Sequence, residues 1–350
     1  SVQKFEKKIN NFLSCKYSTV CSSGTSALFL AMKALDIKKN DIILMPSINF
    51  ISSYNIAKNL GAKVFLTDVD ELTGQITPKL VEECCRKYKI KKFDLLIVMY
   101  NGGYPLNANN YIKLKKKYRC NILEDACHAL GAEYLNKKKF KKIGSCFDSD
   151  VSIFSLHPLK TITTGEGGIV TTNNKKIDKL VKSLRSHGIT RSKTKHWEYD
   201  VLHNSLNFRL TDFQCDLGIN QLLKIKKFIK KRKKIADYYE KKLKKLSEYV
   251  HIKTEYKSHK PAYHLILINI KNCNLKKKEK LLKFMQKNNI NLQYHYIPIY
   301  KFKVFKDKYI KGQNEKYFNS TVSLPVYVDL TFKQINFILS KLNIFFKLYS

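Results

Sequence analysis

The chain has 350 residues, of which 44% are hydrophobic, which is enough for one large domain or for a large and a small one. Its formal net charge is +38, from 66 lysines and arginines against 28 acidic residues. No apolar run reaches the roughly 20 residues that cross a bilayer, which argues against a membrane protein.

The positive charge is carried almost entirely by lysines that are spread along the whole chain. Proteins that read base sequence rely on arginine, and single-strand binders add aromatic platforms, and neither is clustered here. We therefore interpret the charge as a compositional bias and expect no nucleic-acid partner. A basic surface would still attract an anionic substrate such as a nucleotide sugar.

The nine cysteines are an odd number and include no C-x-x-C pair. This pattern favours free thiols in a reducing compartment over a disulfide framework or a zinc site. The N-terminal stretch SVQKFEKKINNFLS is amphipathic and lacks the apolar core of a secretory signal. We expect a cytoplasmic protein with no metal site and no membrane contact.

Short apolar segments alternate with helical patterns over the first two-thirds of the chain. The predicted strands are 41–46, 62–69, 94–100, 120–126, 151–156 and 167–172. The predicted helices between them are 25–35, 50–60, 78–88 and 110–118. Apolar strands that alternate with helices predict an α/β fold, with a mostly parallel central sheet covered on both faces in a three-layer αβα domain.

The last third of the chain begins with a helical pattern over residues 211–245, where apolar positions recur every three or four residues and lysines fill the other face. A strand at 262–270, a helix at 274–288 and a strand at 291–300 follow. They indicate a small C-terminal α/β domain. We place the boundary so that 1–220 form the large domain and 221–350 the small one.

Two segments of the large domain carry polar side chains where parallel sheets bind ligands. In SSGTSALFLAMKAL (22–35) a glycine turn leads into a helix whose first turn holds Thr25 and Ser26, a place where N–H groups and hydroxyls can bind phosphate. Such caps are also common without a ligand. Asp125 ends the predicted strand in ILEDACHALGAEY (122–134), where it could pair with a protonated cofactor nitrogen or cap the next helix.

Lys160 lies in IFSLHPLKTITTGEGGIVTT (153–172), which contains no other lysine although the protein is rich in them. A partly desolvated lysine has a lowered pKa and can form Schiff bases, whereas a lysine at a sheet edge is usually a surface residue. Asn207 and Arg209 precede a strong helix cap at Thr211. Taken alone, these residues indicate only that a helix begins.

The motifs EDACHALGAEY, FSLHPLKTITTGEGG and NFRLTD, in this order and spacing, resemble those of the DegT/DnrJ/EryC1/StrS family of sugar aminotransferases. The resemblance extends from about residue 15 to about residue 330. The segments INFISSYN and HPLKTITTGEGG resemble the branch that aminates UDP-4-keto sugars in pseudaminic acid biosynthesis, where the product is UDP-4-amino-4,6-dideoxy-N-acetyl-β-L-altrosamine.

The resemblance implies the aspartate-aminotransferase-like (fold type I) architecture and the cofactor pyridoxal 5′-phosphate (PLP), which alternates with pyridoxamine 5′-phosphate. It also implies that an amino group moves from L-glutamate to a keto group, at C4 of a nucleotide-linked deoxy sugar. The implied assembly is a homodimer with shared active sites.

The resemblance further implies a role for each matching residue. Lys160 would bind PLP covalently and move the proton, and Asp125 would pair with the pyridine nitrogen. His295 and Tyr296 would lie near the sugar. The other implied cofactor contacts are a ring-stacking Phe50, the phosphate-binding Thr25, Ser26 and Ser155, a ring-edge His128, and an Asn207 that reaches the phosphate in the neighbouring subunit. Some relatives have tryptophan in place of Phe50, and any aromatic ring can stack.

Several alternatives stay open at this point. A PLP-dependent sugar dehydratase would have histidine in place of Lys160, and a non-catalytic protein of this fold would lack Lys160 or Asp125. A basic nucleic-acid-binding protein would need the arginine and aromatic clusters that are missing. The substrate could also be a different nucleotide keto sugar, of the perosamine, bacillosamine or 3-keto type.

Overall fold

The computed structural model describes residues 1–192, 194–195, 197–252 and 257–349. The strands within these ranges are β1 (Tyr17–Cys21), β2 (Ile42–Pro46), β3 (Lys63–Thr67), β4 (Leu95–Met99), β5 (Asn121–Asp125), β6 (Glu133–Asn136), β7 (Lys139–Lys142), β8 (Val151–Ser155), β9 (Gly168–Thr172), β10 (Ile189–Arg191), β11 (Tyr199–Val201), β12 (Val250–Ile252), β13 (His259–Lys260), β14 (Ile266–Ile270), β15 (Lys308–Tyr309) and β16 (Thr321–Leu324). The α-helices are α1 (Val2–Leu13), α2 (Gly24–Ala34), α3 (Ser52–Asn59), α4 (Pro78–Lys87), α5 (Tyr111–Tyr118), α6 (Lys175–Leu184), α7 (Asp212–Leu243), α8 (Leu275–Lys287), α9 (Gln313–Ser320) and α10 (Phe332–Tyr349).

A central sheet has the strand order β1-β9-β8-β5-β4-β2-β3-β15. The strands from β8 to β15 are parallel, as predicted, whereas β9 runs antiparallel to both β8 and β1. The antiparallel direction follows from the connection, because a short loop without a crossover helix joins β8 to β9 and turns the chain back. This loop contains Lys160.

Both faces of the central sheet are covered by helices, because successive apolar residues of each strand point to opposite faces. Leu44 and Leu96 pack in the same core as Phe5 of α1. Their neighbours Ile43 and Leu95 pack in the core on the other face, beneath α2, α3 and α6. The continuous apolar strands of the sequence are therefore explained by burial on both sides.

A smaller core lies between the sheet β12-β14-β16 and the helices α8 and α10. The long helix α7 joins the two parts of the molecule, since Ile219 packs in the core of the large sheet and Tyr239 in the smaller core. The chain beyond α7 also returns to the part of the molecule that contains the central sheet, where β13 pairs with β6 and β15 with β3. None of the described helices is long and apolar enough to cross a membrane.

The predicted strand at 291–300 is wrong. This segment makes one isolated bridge, from Gln293 to Ser323, and ends in a 3-10 turn at Ile299–Lys301. The physical reason is that it crosses from one core to the other. Leu292 packs in the small core and Ile299 packs against the central sheet, so its apolar residues do not share one strand face.

Candidate active site

A cavity of about 320 Å³ opens at the carboxyl end of the central sheet, where β2, β4, β5 and β8 end and α2 begins. Polar loops that follow parallel strands meet at this edge, which is where ligands bind in such sheets. The cavity is lined by Lys160, Asp125, Thr25, Ser155, Phe50 and Tyr296, among others. Residues that are far apart in the sequence are thus gathered in one place.

Asp125 lies at the bottom of this cavity, with only 4% of its surface exposed. Its Oδ2 accepts hydrogen bonds from the Ser53 hydroxyl at 3.2 Å and from Asn49 Nδ2 at 3.5 Å, and its Oδ1 accepts one from the Cys127 N–H at 3.3 Å. No lysine, arginine or histidine of the described chain forms an ion pair with it. A buried carboxylate held only by neutral donors is suited to pair with a cation that enters the cavity, such as a protonated ring nitrogen.

Lys160 is half-buried in the loop between β8 and β9, and no hydrogen bond or ion pair of its Nζ occurs within the described part of the chain. The loop is held by its own threonines: the hydroxyl of Thr163 donates to the Leu156 carbonyl at 2.9 Å, and that of Thr164 donates to the Glu166 carbonyl at 2.7 Å. The TTGEGG sequence therefore forms a fixed turn that keeps Lys160 at the cavity.

The start of α2 forms one wall of the cavity. Ser23 caps the helix by accepting a hydrogen bond from the Ser26 N–H at 3.0 Å. A Cβ on Gly24 would lie 2.9 Å from Cβ of Ser155, so this glycine lets the helix start approach the end of β8. Thr25 and Ser155 are thereby brought together beside a helix N-terminus, an arrangement that suits a phosphate.

Ser26, which is predicted to bind the phosphate, lies behind the cavity wall at the start of α2. It is buried, and its hydroxyl lies 2.8 Å from the Ser22 hydroxyl and 2.6 Å from the Ser23 hydroxyl. Its side chain is therefore engaged in the helix cap, and Ser23 and Gly24 line the cavity instead. The cap sequence S-G-T-S could have suggested this, because a serine three residues before Ser26 is a strong N-cap candidate.

A cluster of rings closes the opposite side of the cavity. Tyr296 Oη lies 2.8 Å from Nε2 of His128. The centre of the His264 ring, a residue that no sequence motif indicates, lies 4.3 Å from the centre of the His128 ring. Burial, followed by the charge of Lys160, lowers the pKa of His264 well below its usual value. The same two causes lower the pKa of His295 to about 4, so both rings are neutral at neutral pH.

Phe50 lies at the mouth of the cavity, and Asn207 lies outside it. The Phe50 ring is 53% exposed at the mouth of the cavity, 5.9 Å from the ring of Tyr296. Asn207 is exposed outside the cavity, and its Oδ1 accepts a hydrogen bond from the Arg209 N–H at 3.1 Å. Within one chain the structure therefore gathers the predicted site residues except Asn207 and the hydroxyl of Ser26.

Residues 1–343 match the DegT/DnrJ/EryC1/StrS aminotransferase family. The chain belongs to this family. The match covers nearly the whole chain and includes every residue that lines the cavity. The predicted family and the assignment as an aminotransferase are confirmed.

Two relatives in this family are named for different nucleotide-sugar products. The UDP-4-amino-4,6-dideoxy-N-acetyl-β-L-altrosamine transaminase of Campylobacter jejuni subsp. jejuni serotype O:23/36 (strain 81-176) is 35% identical over 342 residues, covering 96% of this chain and 87% of that protein. The GDP-perosamine synthase of Escherichia coli O157:H7 is 29% identical over 348 residues, covering 99% and 90%.

Solved structures confirm the predicted fold class. The aminotransferase PseC of Helicobacter pylori, described as involved in the biosynthesis of pseudaminic acid, superimposes with a TM-score of 0.89 at 28% identity, covering 99% of this chain and 91% of that one. A putative sugar aminotransferase of Streptococcus pneumoniae in a PLP form has a TM-score of 0.88 at 20% identity, covering 100% and 92%. The second likeness concerns the fold alone.

Proposed function

We propose that this aminotransferase uses PLP to move an amino group from L-glutamate to the C4 keto group of a nucleotide-linked deoxy sugar. The observation that carries the proposal is the pair formed by Asp125 and Lys160. A buried carboxylate without a cationic partner faces the same cavity as a half-buried lysine whose Nζ is uncommitted in the described chain. The carboxylate of Asp125 is suited to pair with a pyridinium nitrogen, and the amine of Lys160 is suited to bond to a carbonyl carbon.

When bound, PLP supplies an electron sink for the bond broken at the carbon that carries the amino group. Asp125 holds the proton on the ring nitrogen, since loss of that proton would leave the carboxylate as an uncompensated buried charge. Lys160 holds the cofactor between reactions, and its released Nζ moves the proton at the reacting carbon. It is the cavity's candidate general base, because His264 and His295 are committed to the surrounding wall.

The remaining residues hold and orient the cofactor. The N-terminus of α2 with Thr25 and Ser155 binds the phosphate, and Ser26 keeps that helix start capped. Phe50 would stack on the cofactor ring from the mouth side of the cavity, and His128 would lie at the edge of the ring. His295 and Tyr296 come from the chain beyond residue 221, so we propose that the large domain, 1–220, binds the cofactor and that the small domain, 221–350, adds the sugar-facing wall.

We propose that two copies of the chain complete each site, with Asn207 reaching the phosphate in its neighbour. Asn207 does not reach the cavity of its own chain, and exposed apolar side chains occur next to it in the sequence, at the start of α7 and in the cavity lining. Leu206, Phe213 and Leu159 are 63%, 82% and 72% exposed. Exposed apolar patches mark protein–protein contact sites, and these three side chains are available for contact with a second copy of the chain.

The test is incubation of the purified enzyme with L-glutamate and a panel of UDP-, dTDP- and GDP-linked keto sugars, with the products identified by NMR. We expect a 4-amino sugar and one equivalent of 2-oxoglutarate per turnover, formed by the wild type and lost in Lys160→Ala. Amination of a 3-keto sugar alone would contradict the assignment of C4. Absence of any amino sugar would contradict the function.

A further inference from the structure

His128 lies between a backbone N–H and a tyrosine hydroxyl. The N–H of Gly102 donates a hydrogen bond to Nδ1 of His128 at 3.3 Å. On the other side of the ring, Nε2 lies 2.8 Å from Tyr296 Oη. The ring is buried, with 2% of the residue surface exposed, and each of its two nitrogens makes one of these contacts.

The Gly102 contact decides which nitrogen of His128 carries the proton. A backbone N–H can only donate, so Nδ1 must offer its lone pair, and the neutral ring then carries its hydrogen on Nε2. It follows that Nε2–H donates to Tyr296 Oη. The hydroxyl of Tyr296 is the acceptor in this pair, and its own proton points elsewhere.

The turn that presents the Gly102 N–H is held firmly against His128. Gly102 and Gly103 have φ values of 71° and 86°, a conformation that favours glycine. The Gly102 carbonyl accepts a hydrogen bond from the His264 N–H at 3.0 Å. A Cβ on Gly103 would lie 2.4 Å from the carbonyl oxygen of His128, so no larger residue fits there. The sequence NGG is thus adapted to hold His128 in one orientation.

The Tyr296 hydroxyl faces the cavity and makes no second hydrogen bond within the described residues. Burial, followed by the charge of Asp125, raises the pKa of Tyr296 well above its usual value, so the phenol stays protonated. Its ring packs 5.9 Å from Phe50, at the open mouth of the cavity. The hydroxyl hydrogen of Tyr296 is therefore available to donate a hydrogen bond to the ligand that enters the cavity last.

We propose that Gly102 and His128 orient the Tyr296 hydroxyl so that it donates a hydrogen bond to an oxygen atom of the bound keto sugar. Tyr296 is then a specificity-determining residue for the sugar, and His128 is a positioning residue that acts through it. This inference rests on the proposed function, because it takes the keto sugar as the second substrate.

The tautomer can be observed directly. In the holoenzyme with ¹⁵N-labelled histidine, we expect the ring of His128, assigned by comparison with His128→Gln, to have a protonated Nε2 and an unprotonated Nδ1. This readout does not depend on turnover. A proton on Nδ1 would overturn the proposal.

The variants separate the two half-reactions. Tyr296→Phe should lower kcat/KM for the keto sugar by about 3- to 10-fold, the effect of one lost neutral hydrogen bond. The rate of the glutamate half-reaction, which is measured from the absorbance of the cofactor, should change less. At saturating PLP, which compensates for the lost ring-edge contact of His128, the kcat/KM of His128→Leu for the keto sugar should resemble that of Tyr296→Phe, and the double variant should be no worse than His128→Leu. His128→Gln should restore activity, because its amide can accept from Gly102 and donate to Tyr296.

Tyr300→Phe is the matched control. The Tyr300 hydroxyl donates to Glu315 at 2.7 Å and does not line the cavity, so both half-reactions should match the wild type. The proposal is overturned if His128→Gln loses as much as His128→Leu, or if Tyr296→Phe slows both half-reactions equally. A wild-type enzyme that does not respond to glutamate contradicts the proposed function instead, and leaves the tautomer result standing.

Discussion

The Ser53 hydroxyl donates a hydrogen bond of 3.2 Å to Oδ2 of Asp125, and both side chains are buried at the bottom of the cavity. Asn49 Nδ2 approaches the same oxygen at 3.5 Å. These donors are neutral, so they fix the orientation of the carboxylate without cancelling its charge. The negative charge of Asp125 therefore remains available to pair with a positively charged group of the ligand.

Removing the Ser53 hydroxyl should weaken cofactor binding without abolishing it. In Ser53→Ala the carboxylate keeps its charge but loses one orienting hydrogen bond, so we expect the dissociation constant for PLP to rise by about 3- to 10-fold. Titration of the cofactor-free enzyme with PLP measures this. Ser340→Ala, which removes an exposed helix hydroxyl bonded to the Phe337 carbonyl, is the control. Equal affinities in Ser53→Ala and wild type would show that Ser53 does not position Asp125.

Asp125→Asn should retain the fold and lose most of the activity. The amide occupies the same space but carries no charge to keep a ring nitrogen protonated. We expect turnover to fall by at least about 100-fold, the scale seen when a preorganised electrostatic group is removed. Circular dichroism checks the fold, and steady-state rates with saturating PLP check the activity. Near wild-type turnover would mean that Asp125 does not face the ring nitrogen.

Much of the large domain could be predicted, because its strands are buried on both faces. Ile43 and Leu44 lie next to each other in the sequence and pack in opposite cores, which gives the continuous apolar runs that mark such strands. The direction of β9 could not be predicted, because it depends on how the loop with Lys160 turns. The segment 291–300 was wrongly predicted as a strand because its apolar residues belong to two different cores.

The site was predictable only in part. Lys160 and Asp125 lie in long motifs, and their positions after strands place them at one sheet edge. Ser53 and His264 have no such signal, because each is a single polar residue whose partner is distant in sequence. His264 is recognised only when the fold stacks it on His128.

Lys278 should make the stability of the protein depend on pH. Its Nζ bonds the Phe318 carbonyl and lies 4.0 Å from the centre of the Phe318 ring, with no carboxylate in ion-pair range among the described residues. Burial lowers the pKa of Lys278 to about 8, from 10.5. Between these two pH values the unfolded chain binds a proton that the folded chain does not, so the free energy of unfolding should rise with pH.

The pKa values in the unfolded and folded chains differ by about 2.5, from 10.5 to about 8. Since a pKa difference of one corresponds to about 1.4 kcal/mol, the free energy of unfolding should rise by at most about 3 kcal/mol. Urea titrations of the wild type and Lys278→Met across this pH range isolate the contribution, since other groups titrate in both proteins. Lys276→Met, on the exposed side of the same helix, should keep the wild-type slope. If Lys278→Met keeps it too, Lys278 is not the group responsible.

Two inactive variants should complement each other if Asn207 serves the neighbouring site. Lys160→Ala lacks the covalent anchor, and Asn207→Asp places a negative charge beside a phosphate, where repulsion in a poorly solvated site costs on the order of several kcal/mol. In a mixed dimer one site carries both defects and the other neither, so the ceiling is about half activity per mixed dimer. Mass spectrometry of the mixture measures subunit exchange. Exchange without recovered activity would rule out the shared site.

Lys160 is expected to be the residue that carries PLP. The purified holoenzyme should be yellow, and reduction with borohydride should fix the cofactor to the protein. Peptide mapping by mass spectrometry should then find the added mass on the peptide that contains Lys160, and Lys160→Ala should acquire no fixed cofactor. A protein that does not take up PLP, or a label on a different lysine, would contradict this role of Lys160.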